Sequence, residues 1–417
     1  MSNPSDYSVS DHWDGAFDEA RFEAWAKQLR SGLSAETVDI GFVFATPGYG
    51  SALAEILEIL QIHCQMKQLV GCTGNSLVSQ GFEYEEGEGV SVALHSLPGA
   101  EIQSFELEGC EPGEDVPPHI WESLEKLDSA SPNGFVVFAD PFSVKSETMM
   151  QEFNSRFPGK PVLGGLASGT QSDRATQLFH NTKVLDSGAV GISIGGKVGI
   201  ESAISQGCLP FGDSFTVTAA ENNVLNGIAN RNAYDVLSDA FDGLPDAMKM
   251  KSRGNIHIGF VIDEYQEEFV RGDFLVRNLI GADPKVGALL VGARPRVGQT
   301  LQFQMRDRHS AMEDLRERLD LLTVRIKGRS VYGGLLTTCT GRGNAFFKVS
   351  DFDASTIQDY MGPLGMSGFF GNGEFGPVGG VNFVHGYTAA AAFFVEQSLV
   401  CKTPRTLSGG EGNSNLV

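Results

Sequence analysis

The stretch Val331-Tyr-Gly-Gly-Leu-Leu-Thr-Thr-Cys-Thr-Gly-Arg-Gly343 joins an apolar run to a glycine-rich end. The apolar run predicts a buried strand. The glycines at its end accept positive φ angles and let another group approach the backbone closely. The stretch therefore predicts a strand that enters the interior and stops at a place built for a close contact.

A second stretch of the same kind follows. It is Gly368-Phe-Phe-Gly-Asn-Gly-Glu-Phe-Gly-Pro-Val-Gly-Gly380, and Asn382 and His385 come directly after it. A solvated turn needs one glycine, whereas this segment has several, with ionisable side chains held among them. The two stretches together predict a small-ligand pocket near the C-terminus.

The composition is that of a globular protein with two domains. The chain has 417 residues, of which 41% are hydrophobic and 20% charged, and this length exceeds one ordinary core. The formal net charge of −21 argues against nucleic acid and against an acidic membrane surface as partners, because both would repel the protein. The simplest interpretation of the charge is solubility.

The sequence favours a cytoplasmic protein. It has no apolar run of the ~20 residues that span a bilayer, and its N-terminus lacks the basic and apolar regions of a secretory signal. The six cysteines are scattered, without Cys-x-x-Cys spacing, which speaks against a zinc site or a disulfide framework and fits free thiols. No metal and no cofactor are expected.

The order of apolar runs predicts an α/β fold with mixed α+β layers in two consecutive domains, each a mostly buried mixed sheet flanked by helices. The boundary is placed at Phe211-Gly-Asp213. The expected segments are an N-terminal helical extension (1–37), a first domain (38–212), a second domain (213–400) and a disordered tail (401–417).

Three further expectations concern local structure. Val90–Leu94 and Ile102–Leu107 alternate and are expected to be antiparallel neighbours. The segment that ends at Asp307 predicts a strand leading into a helix, with Asp307 as the N-cap. Similar strand ends at Leu69, Val162 and Val331 indicate either an old internal repeat or simply three buried strands that stop at glycines.

The chain resembles the FIST family, which has a FIST-N and a FIST-C half. The matching segments of the first half are Leu69–Ser76, Pro161–Gly169, Gly188–Ile192 and Gln206–Gly212, and those of the second half are Phe303–Asp307, Ala311–Leu315, Cys339–Gly343, Gly373–Pro377 and His385–Thr388. The resemblance spans roughly residues 38 to 395, so it identifies 38–212 as FIST-N-like and 213–400 as FIST-C-like. It implies a sensory protein that recognises a small ligand.

Cys339 and Arg342 are the first candidates for chemistry. Arg342 lies between Gly341 and Gly343, where its planar group of donors would bind a carboxylate or phosphate and would lower the pKa of a nearby thiol. His385 could then act as the base of a Cys–His pair. The alternative is a structural cysteine, with Arg342 paired to an internal acid such as Glu374 and His385 bonded to the backbone.

The remaining candidates complete a ligand site. Glu374 is flanked by glycines and aromatic residues, so burial is expected, and a buried carboxylate needs a partner or a proton. With Arg342 on a carboxylate and Glu374 on an amine, the ligand would be an amino acid. Asn344 and Asn382 are assigned to the same pocket. In the first domain, Cys72 and Thr73 form either an anion-binding nest or a plain turn.

Three functions remain open from the sequence. The leading one, implied by the resemblance, is a sensor that binds a small metabolite, for which an amino acid is one choice, and signals through a partner protein. The second is a thiol-dependent enzyme that uses Cys339 and His385. The third is an adaptor that recruits proteins, as the resemblance to eukaryotic members that serve ubiquitin ligases implies.

Overall fold

The structure, a computed structural model, describes residues 6–110, 117–128, 131–169, 176–252, 254–266, 268–269 and 271–397. The predicted disordered tail (401–417) lies outside the described residues. The α-helices are α1 (Glu19–Ser31), α2 (Leu53–Cys64), α3 (Glu122–Asp128), α4 (Ser146–Arg156), α5 (Ala233–Asp242), α6 (Asp246–Ser252), α7 (Arg308–Arg325), α8 (Asn344–Phe347) and α9 (Phe352–Met361).

The strands are β1 (Ser8–Asp14), β2 (Ile40–Ala45), β3 (Leu69–Thr73), β4 (Leu77–Ser79), β5 (Phe82–Tyr84), β6 (Gly89–His95), β7 (Ala100–Leu107), β8 (Gly134–Ala139), β9 (Val162–Leu166), β10 (Leu178–His180), β11 (Lys183–Leu185), β12 (Ala189–Gly196), β13 (Val198–Ser205), β14 (Cys208–Glu221), β15 (Val224–Ile228), β16 (Arg231–Asn232), β17 (Ile256–Val261), β18 (Phe274–Asp283), β19 (Ala288–Val291), β20 (Thr300–Arg306), β21 (Val331–Cys339), β22 (Met366–Gly371), β23 (Glu374–Val378), β24 (Val381–His385) and β25 (Ala389–Glu396). Helices and strands mix along the whole chain, so the predicted α/β class is confirmed.

One structural unit occurs three times. Each unit consists of a first strand, a helix, a second strand parallel to the first, a hairpin, and a last strand antiparallel to the first. Unit 1 is β2–α2–β3–β4–β5–β6, unit 2 is β8–α4–β9–β10–β11–β12, and unit 3 is β21–α9–β22–β23–β24–β25. An outer strand, β1, β7 or β13, pairs with the last strand of each unit.

The hairpins are exchanged between the units in a cycle. Sheet 1 has the order β1-β6-β2-β3-β10-β11, sheet 2 the order β7-β12-β8-β9-β23-β24, and sheet 3 the order β13-β25-β21-β22-β4-β5. Each sheet therefore ends in the hairpin of another unit: unit 2 completes sheet 1, unit 3 completes sheet 2, and unit 1 completes sheet 3. Both halves of the sequence contribute to sheets 2 and 3.

A glycine in the second strand of each unit permits the close parallel pairing. The glycines, each with the residue it faces, are Gly71 with Val43, Gly164 with Val137 and Gly368 with Leu336. A Cβ atom at these three positions would lie 1.7, 2.1 and 1.9 Å from the facing carbonyl oxygen. Only glycine fits there, since no other residue lacks a Cβ.

The three sheets enclose one central core. Phe44, Phe138 and Phe369, one from each unit, form a ring of aromatic contacts with centroid distances of 5.2, 5.0 and 5.8 Å. Such edge-on and stacked pairs stabilise a core beyond the area that they bury. Separate apolar clusters fill the spaces between each sheet and its outer helices.

Residues 208–306 form a separate barrel. Its strands follow the order β14-β20-β17-β18-β19-β15, and β15 pairs back with β14, so the ring is closed. Helix α5 packs on the apolar interior. In the sequence the barrel lies between β13 and α7, and its two ends meet because Cys208 pairs with Arg306. The predicted boundary at Phe211–Asp213 falls inside β14.

Three local expectations have different outcomes. The Asp307 side chain caps α7 by accepting from the Ser310 N–H at 3.0 Å, so the N-cap prediction is confirmed. The pairing of Val90–Leu94 with Ile102–Leu107 is wrong, because β6 pairs with β1 and β2 whereas β7 pairs with β12. A short connection makes neighbours in sequence look like a hairpin, but here each strand has a better-matched partner elsewhere.

The internal repeat exists, with a different third member. The strand ends at Leu69 and Val162 are equivalent second strands, β3 and β9, but Val331 begins the first strand of unit 3. The true third member is β22, Met366–Gly371. The N-terminal segment also contains a strand, β1, besides the expected helix; its buried positions include Ser8 and Ser10, so no apolar alternation marks it.

Candidate functional site

Arg342 forms a buried ion pair directly after β21. Its Nε donates to Asp353 Oδ2 at 2.7 Å and its Nη2 donates to Asp353 Oδ1 at 2.8 Å, and both side chains are fully buried. Its Nη1 donates to the Tyr387 carbonyl oxygen at 3.3 Å. The internal acid is therefore Asp353 and not Glu374, and every guanidinium nitrogen already has a protein acceptor.

Glu374 and Cys339 lie together beneath this ion pair. Glu374 is fully buried, its Oε2 accepts from the Thr388 N–H at 3.1 Å, and no partner with normal hydrogen-bond geometry reaches Oε1 within the described residues. Burial raises the pKa of Glu374 well above its usual range, which favours the protonated carboxyl. The Cys339 thiol, a weak hydrogen-bond donor, acts in the opposite direction and lowers the pKa of this carboxyl.

The thiol of Cys339 is held in its neutral form. Burial first, and the neighbouring Glu374 second, raise the pKa of Cys339 to about 12. The Gly341 N–H, 3.4 Å from Sγ, the Tyr387 N–H and the charge of Arg306 each favour the thiolate, but burial outweighs them. A neutral thiol is a poor nucleophile at neutral pH.

The repeated architecture shows how unusual Glu374 is. In each sheet one hairpin residue faces the glycine of the second strand: Phe179 faces Gly71, Val78 faces Gly368, and Phe375 faces Gly164. The residues that precede them are counterparts, and they are Leu178, Leu77 and Glu374. Both leucines are buried in the central core, so unit 3 carries a carboxyl where the other units carry an apolar side chain.

The barrel supplies a cation to the same place. Arg306, the last residue of β20, lies between the rings of Phe346 and Tyr387 at 4.3 and 4.1 Å, and its Nη2 donates to the Gly341 carbonyl oxygen at 2.6 Å. Its positive charge acts to lower the pKa of both Cys339 and Glu374. Stacking between aromatic rings fixes a guanidinium without neutralising it.

Two more residues line the junction between the barrel and unit 3. Tyr387 has a φ of 59°. Positive φ angles are uncommon in residues other than glycine, and residues that adopt them cluster at functional sites. The His257 ring lies 4.6 Å from the Tyr387 ring, and burial and then Arg306 lower the pKa of His257 to about 4. The sequence assigned Arg306 to scaffolding and offered no signal for Tyr387 or His257.

His385 does not form the proposed pair with Cys339. Its Nε2 donates to the Gly376 carbonyl oxygen at 3.0 Å, and burial lowers its pKa to about 4. The described residues show no hydrogen bond between the two side chains. The structure therefore agrees with the alternative in which His385 is hydrogen-bonded to the backbone.

Asn382 and Asn344 have structural contacts. Asn382 is buried; its Oδ1 accepts from the Val162 N–H at 2.8 Å and its Nδ2 donates to Asn154 Oδ1 at 2.9 Å, which ties β24 to β9 and α4. The side chain of Asn344 is exposed, and its N–H donates to Glu85 Oε1 at 2.6 Å. Gly343 precedes it with a φ of 81°.

Cys72 and Thr73 lie apart from these residues. Cys72 belongs to the central core, where burial raises its pKa well above the usual range. The N–H groups of Thr73, Gly74 and Asn75 donate to protein oxygens at 2.8, 3.0 and 2.8 Å. No nest of free N–H groups forms there, so the turn interpretation fits.

The described part of the chain contains no cluster of three His, Cys, Asp or Glu side chains suited to a metal ion. None of its helices is both long enough and apolar enough to cross a bilayer.

Comparison with known proteins agrees with the two halves of the sequence. Residues 39–231 match the FIST N domain and residues 233–377 match the FIST C domain. An uncharacterized protein of Mycobacterium tuberculosis is 36% identical over 372 residues, which cover 89% of this chain and 95% of its own length. An uncharacterized protein of Mycobacterium bovis is 34% identical over 379 residues, covering 91% and 96%.

Proposed function

Because the chain belongs to the FIST family, with a FIST N domain followed by a FIST C domain, we propose that it is a sensory protein that binds a small metabolite and signals through a partner protein. FIST domains are associated with small-ligand sensing in signal transduction. In this proposal the protein acts in the cytoplasm, and the ligand lies where the barrel meets unit 3.

One observation carries the choice of site: the buried Glu374, whose Oε1 has no hydrogen-bond partner of normal geometry among the described residues. Leaving a buried acceptor without a partner costs about 1 to 3 kcal/mol, and the other two units avoid this cost with a leucine. A ligand that supplies the missing partner would explain why unit 3 keeps the carboxyl. The strained Tyr387 and the stacked Arg306 beside it support the same choice.

The chemistry of the site favours an amino acid as ligand. Arg306, and not Arg342, takes the ligand carboxylate, because the Arg342 nitrogens are bound to Asp353 and Tyr387, whereas no acidic side chain of the described residues pairs with Arg306. Glu374 takes the ammonium group. Because burial favours the protonated form of Glu374, an ammonium group that binds its ionised form would release a proton.

A ligand in this position would connect two bodies of the molecule. Arg306 belongs to the barrel, whereas Glu374 and Tyr387 belong to unit 3. The barrel is attached through the adjacent strands β14 and β20, so the ligand would change how firmly it is held. A partner protein that contacts both parts would register that difference.

The thiol-enzyme alternative has less support. It needs a thiolate and a base, but the pKa of Cys339 is raised and His385 is bonded to the backbone. We assign Cys339 to the wall of the site. The adaptor function has no specific observation in its favour.

The test is calorimetric titration with the common L-amino acids, guided by thermal shift. A ligand at 100 times its Kd should raise the free energy of unfolding by about 2.7 kcal/mol. Glu374→Gln keeps the shape but cannot ionise, so it should weaken binding and remove the proton release, which titrations in buffers of different ionisation enthalpy measure.

The matched control is Glu101→Gln, an exposed carboxyl on β7. Arg306→Met should also weaken binding, at an unchanged melting temperature. Unaltered affinity in both Glu374→Gln and Arg306→Met would rule out this site, and no response to any amino acid would rule out this ligand class.

A further inference from the structure

A cleft of about 420 Å³ opens between helix α7, strand β13 and the turn of the hairpin β23–β24. Its volume is that of a small-molecule site. Cys339, Glu374 and Arg306 are not among its lining residues, so this cleft is separate from the site proposed above. The inference drawn from it does not depend on the proposed function.

Helix α7 gives the cleft two arginines with unused donors. Arg318 donates from Nε to Asp314 at 3.3 Å and from Nη2 to a backbone carbonyl at 3.1 Å. Arg325 approaches Glu201 with Nε at 2.9 Å and donates from Nη2 to a backbone carbonyl of β13 at 2.7 Å. Neither Nη1 has a hydrogen-bond partner among the described residues.

The acids of the cleft are already neutralised. Asp314 is buried, and its second oxygen accepts from the Gln206 N–H at 3.0 Å. Glu201 also binds Arg329, at 2.7 Å. The side-chain groups of the cleft that can still form hydrogen bonds are therefore the arginine donors, and such donors bind an anion. On a chain of net charge −21, two such arginines in one cleft are a local exception.

The two arginines are well separated. Seven residues along a helix correspond to about 10 Å of axial rise. Asp314 draws the first guanidinium toward the start of α7, whereas Glu201 holds the second at the other end of the cleft. Between them Leu321 is 60% exposed, and apolar residues of β13 form the floor.

We propose that this cleft binds an organic dianion whose anionic groups are separated by an apolar spacer of about 10 Å, matching the helical rise. One anionic group binds Arg318 and the other binds Arg325. The spacer covers Leu321 and the floor, which removes apolar surface from water. Carboxylates and phosphate esters share this chemistry, and the choice of probes separates them.

The test is calorimetric titration of the full chain with octanedioate. Three compounds serve as comparisons: octanoate lacks the second charge, butanedioate is too short, and octanediol lacks both charges. The bis-phosphate ester of octanediol, the diphosphate, carries phosphates in place of the carboxylates. Octanedioate or the diphosphate should bind at least about tenfold more tightly than the other three, as expected from one charged hydrogen bond. Arg318→Met and Arg325→Met should each reduce its affinity at least about tenfold.

Two controls keep the outcome clear. Arg294→Met removes an exposed arginine outside the cleft, and Glu374→Gln alters only the site at the barrel; both should leave the affinity unchanged. Leu321→Glu keeps both arginines but places a carboxylate in the cleft, and should abolish binding at an unchanged melting temperature. The proposal is overturned if neither dianion binds at millimolar concentration, if octanoate binds equally well, or if Arg294→Met costs as much as Arg318→Met.

Discussion

At the scale of single residues, the surroundings decide what a charged side chain can do. The sequence Gly341-Arg342-Gly343 left open an anion clamp or an arginine paired to an internal acid, and the structure has the pair, with Asp353 on a helix that folds back over the arginine. Sequence spacing could not show that fold-back. Burial of Glu374 was predictable from its glycine and aromatic neighbours, and it is confirmed. That the counterparts of Glu374 in the other two units are leucines becomes visible only once the strand registers are known.

Arg342 should matter for stability. Arg342→Met leaves the Asp353 carboxylate buried and unpaired, which should lower the free energy of unfolding by about 3 to 5 kcal/mol. Urea unfolding measures the loss. Arg325→Met removes a half-exposed arginine from an ion pair and should cost less than about 1 kcal/mol. Equal urea midpoints for the two variants would mean that the buried pair contributes nothing.

Cys339 should react slowly. Because burial and then Glu374 raise the pKa of Cys339 to about 12, a thiol-reactive probe should label it more slowly at pH 7 than the partly exposed Cys110. The labelling rate should keep rising with pH up to about 11. Mass-spectrometric mapping gives the rates, and a plateau near pH 8 would show that an activated thiolate is present after all.

At the scale of elements, helices and single strands were more predictable than their partners. The strand Val331–Cys339 lies where its apolar run predicts, and helix α7 begins directly after Asp307, as its predicted N-cap indicates. Strands β6 and β7 are neighbours in the sequence but pair in different sheets, β6 with β2 in sheet 1 and β7 with β12 in sheet 2. Their pairing depends on how all three sheets pack together. The polar strand β1 escaped notice because Ser8 and Ser10 occupy its buried face, where their Oγ atoms accept from the N–H groups of Gly365 and Met366 at 3.0 and 3.1 Å.

The glycine of the second strand should tolerate no side chain. In Gly368→Ala the new Cβ would lie 1.9 Å from the Leu336 carbonyl oxygen, so β21 and β22 must separate, at a cost of about 3 kcal/mol or more. Gly281→Ala is the control, since the nearest atom to its Cβ would be 3.9 Å away. Thermal unfolding compares them; similar melting temperatures would show that the parallel pair can relax.

At the scale of the whole molecule, the two sequence halves do not correspond to two separate cores. The FIST N and FIST C segments are consecutive in the chain, but sheets 2 and 3 combine strands from both. The barrel has a core of its own. The exchange of hairpins left no pattern that a single sequence reveals.

The three sheets should therefore unfold together. Phe179→Ala removes a fully buried ring from the hairpin that unit 2 lends to sheet 1, at about 3 to 5 kcal/mol. Hydrogen exchange should then accelerate in all three sheets, whereas Leu225→Ala in the barrel core should accelerate exchange mainly in the barrel. Acceleration confined to sheet 1 in the first variant would show that the sheets are independent.

The cyclic exchange of hairpins has a consequence for biosynthesis. The ribosome delivers β4–β5 long before their partner strand β22, which follows hundreds of residues later in the chain. Until then sheet 3 cannot assemble around β21, and the nascent N-terminal half presents an unpaired strand edge to the crowded cell. We expect sheet 3 to form only once β22 has left the ribosome, and the nascent chain to depend until then on chaperones that cover that edge.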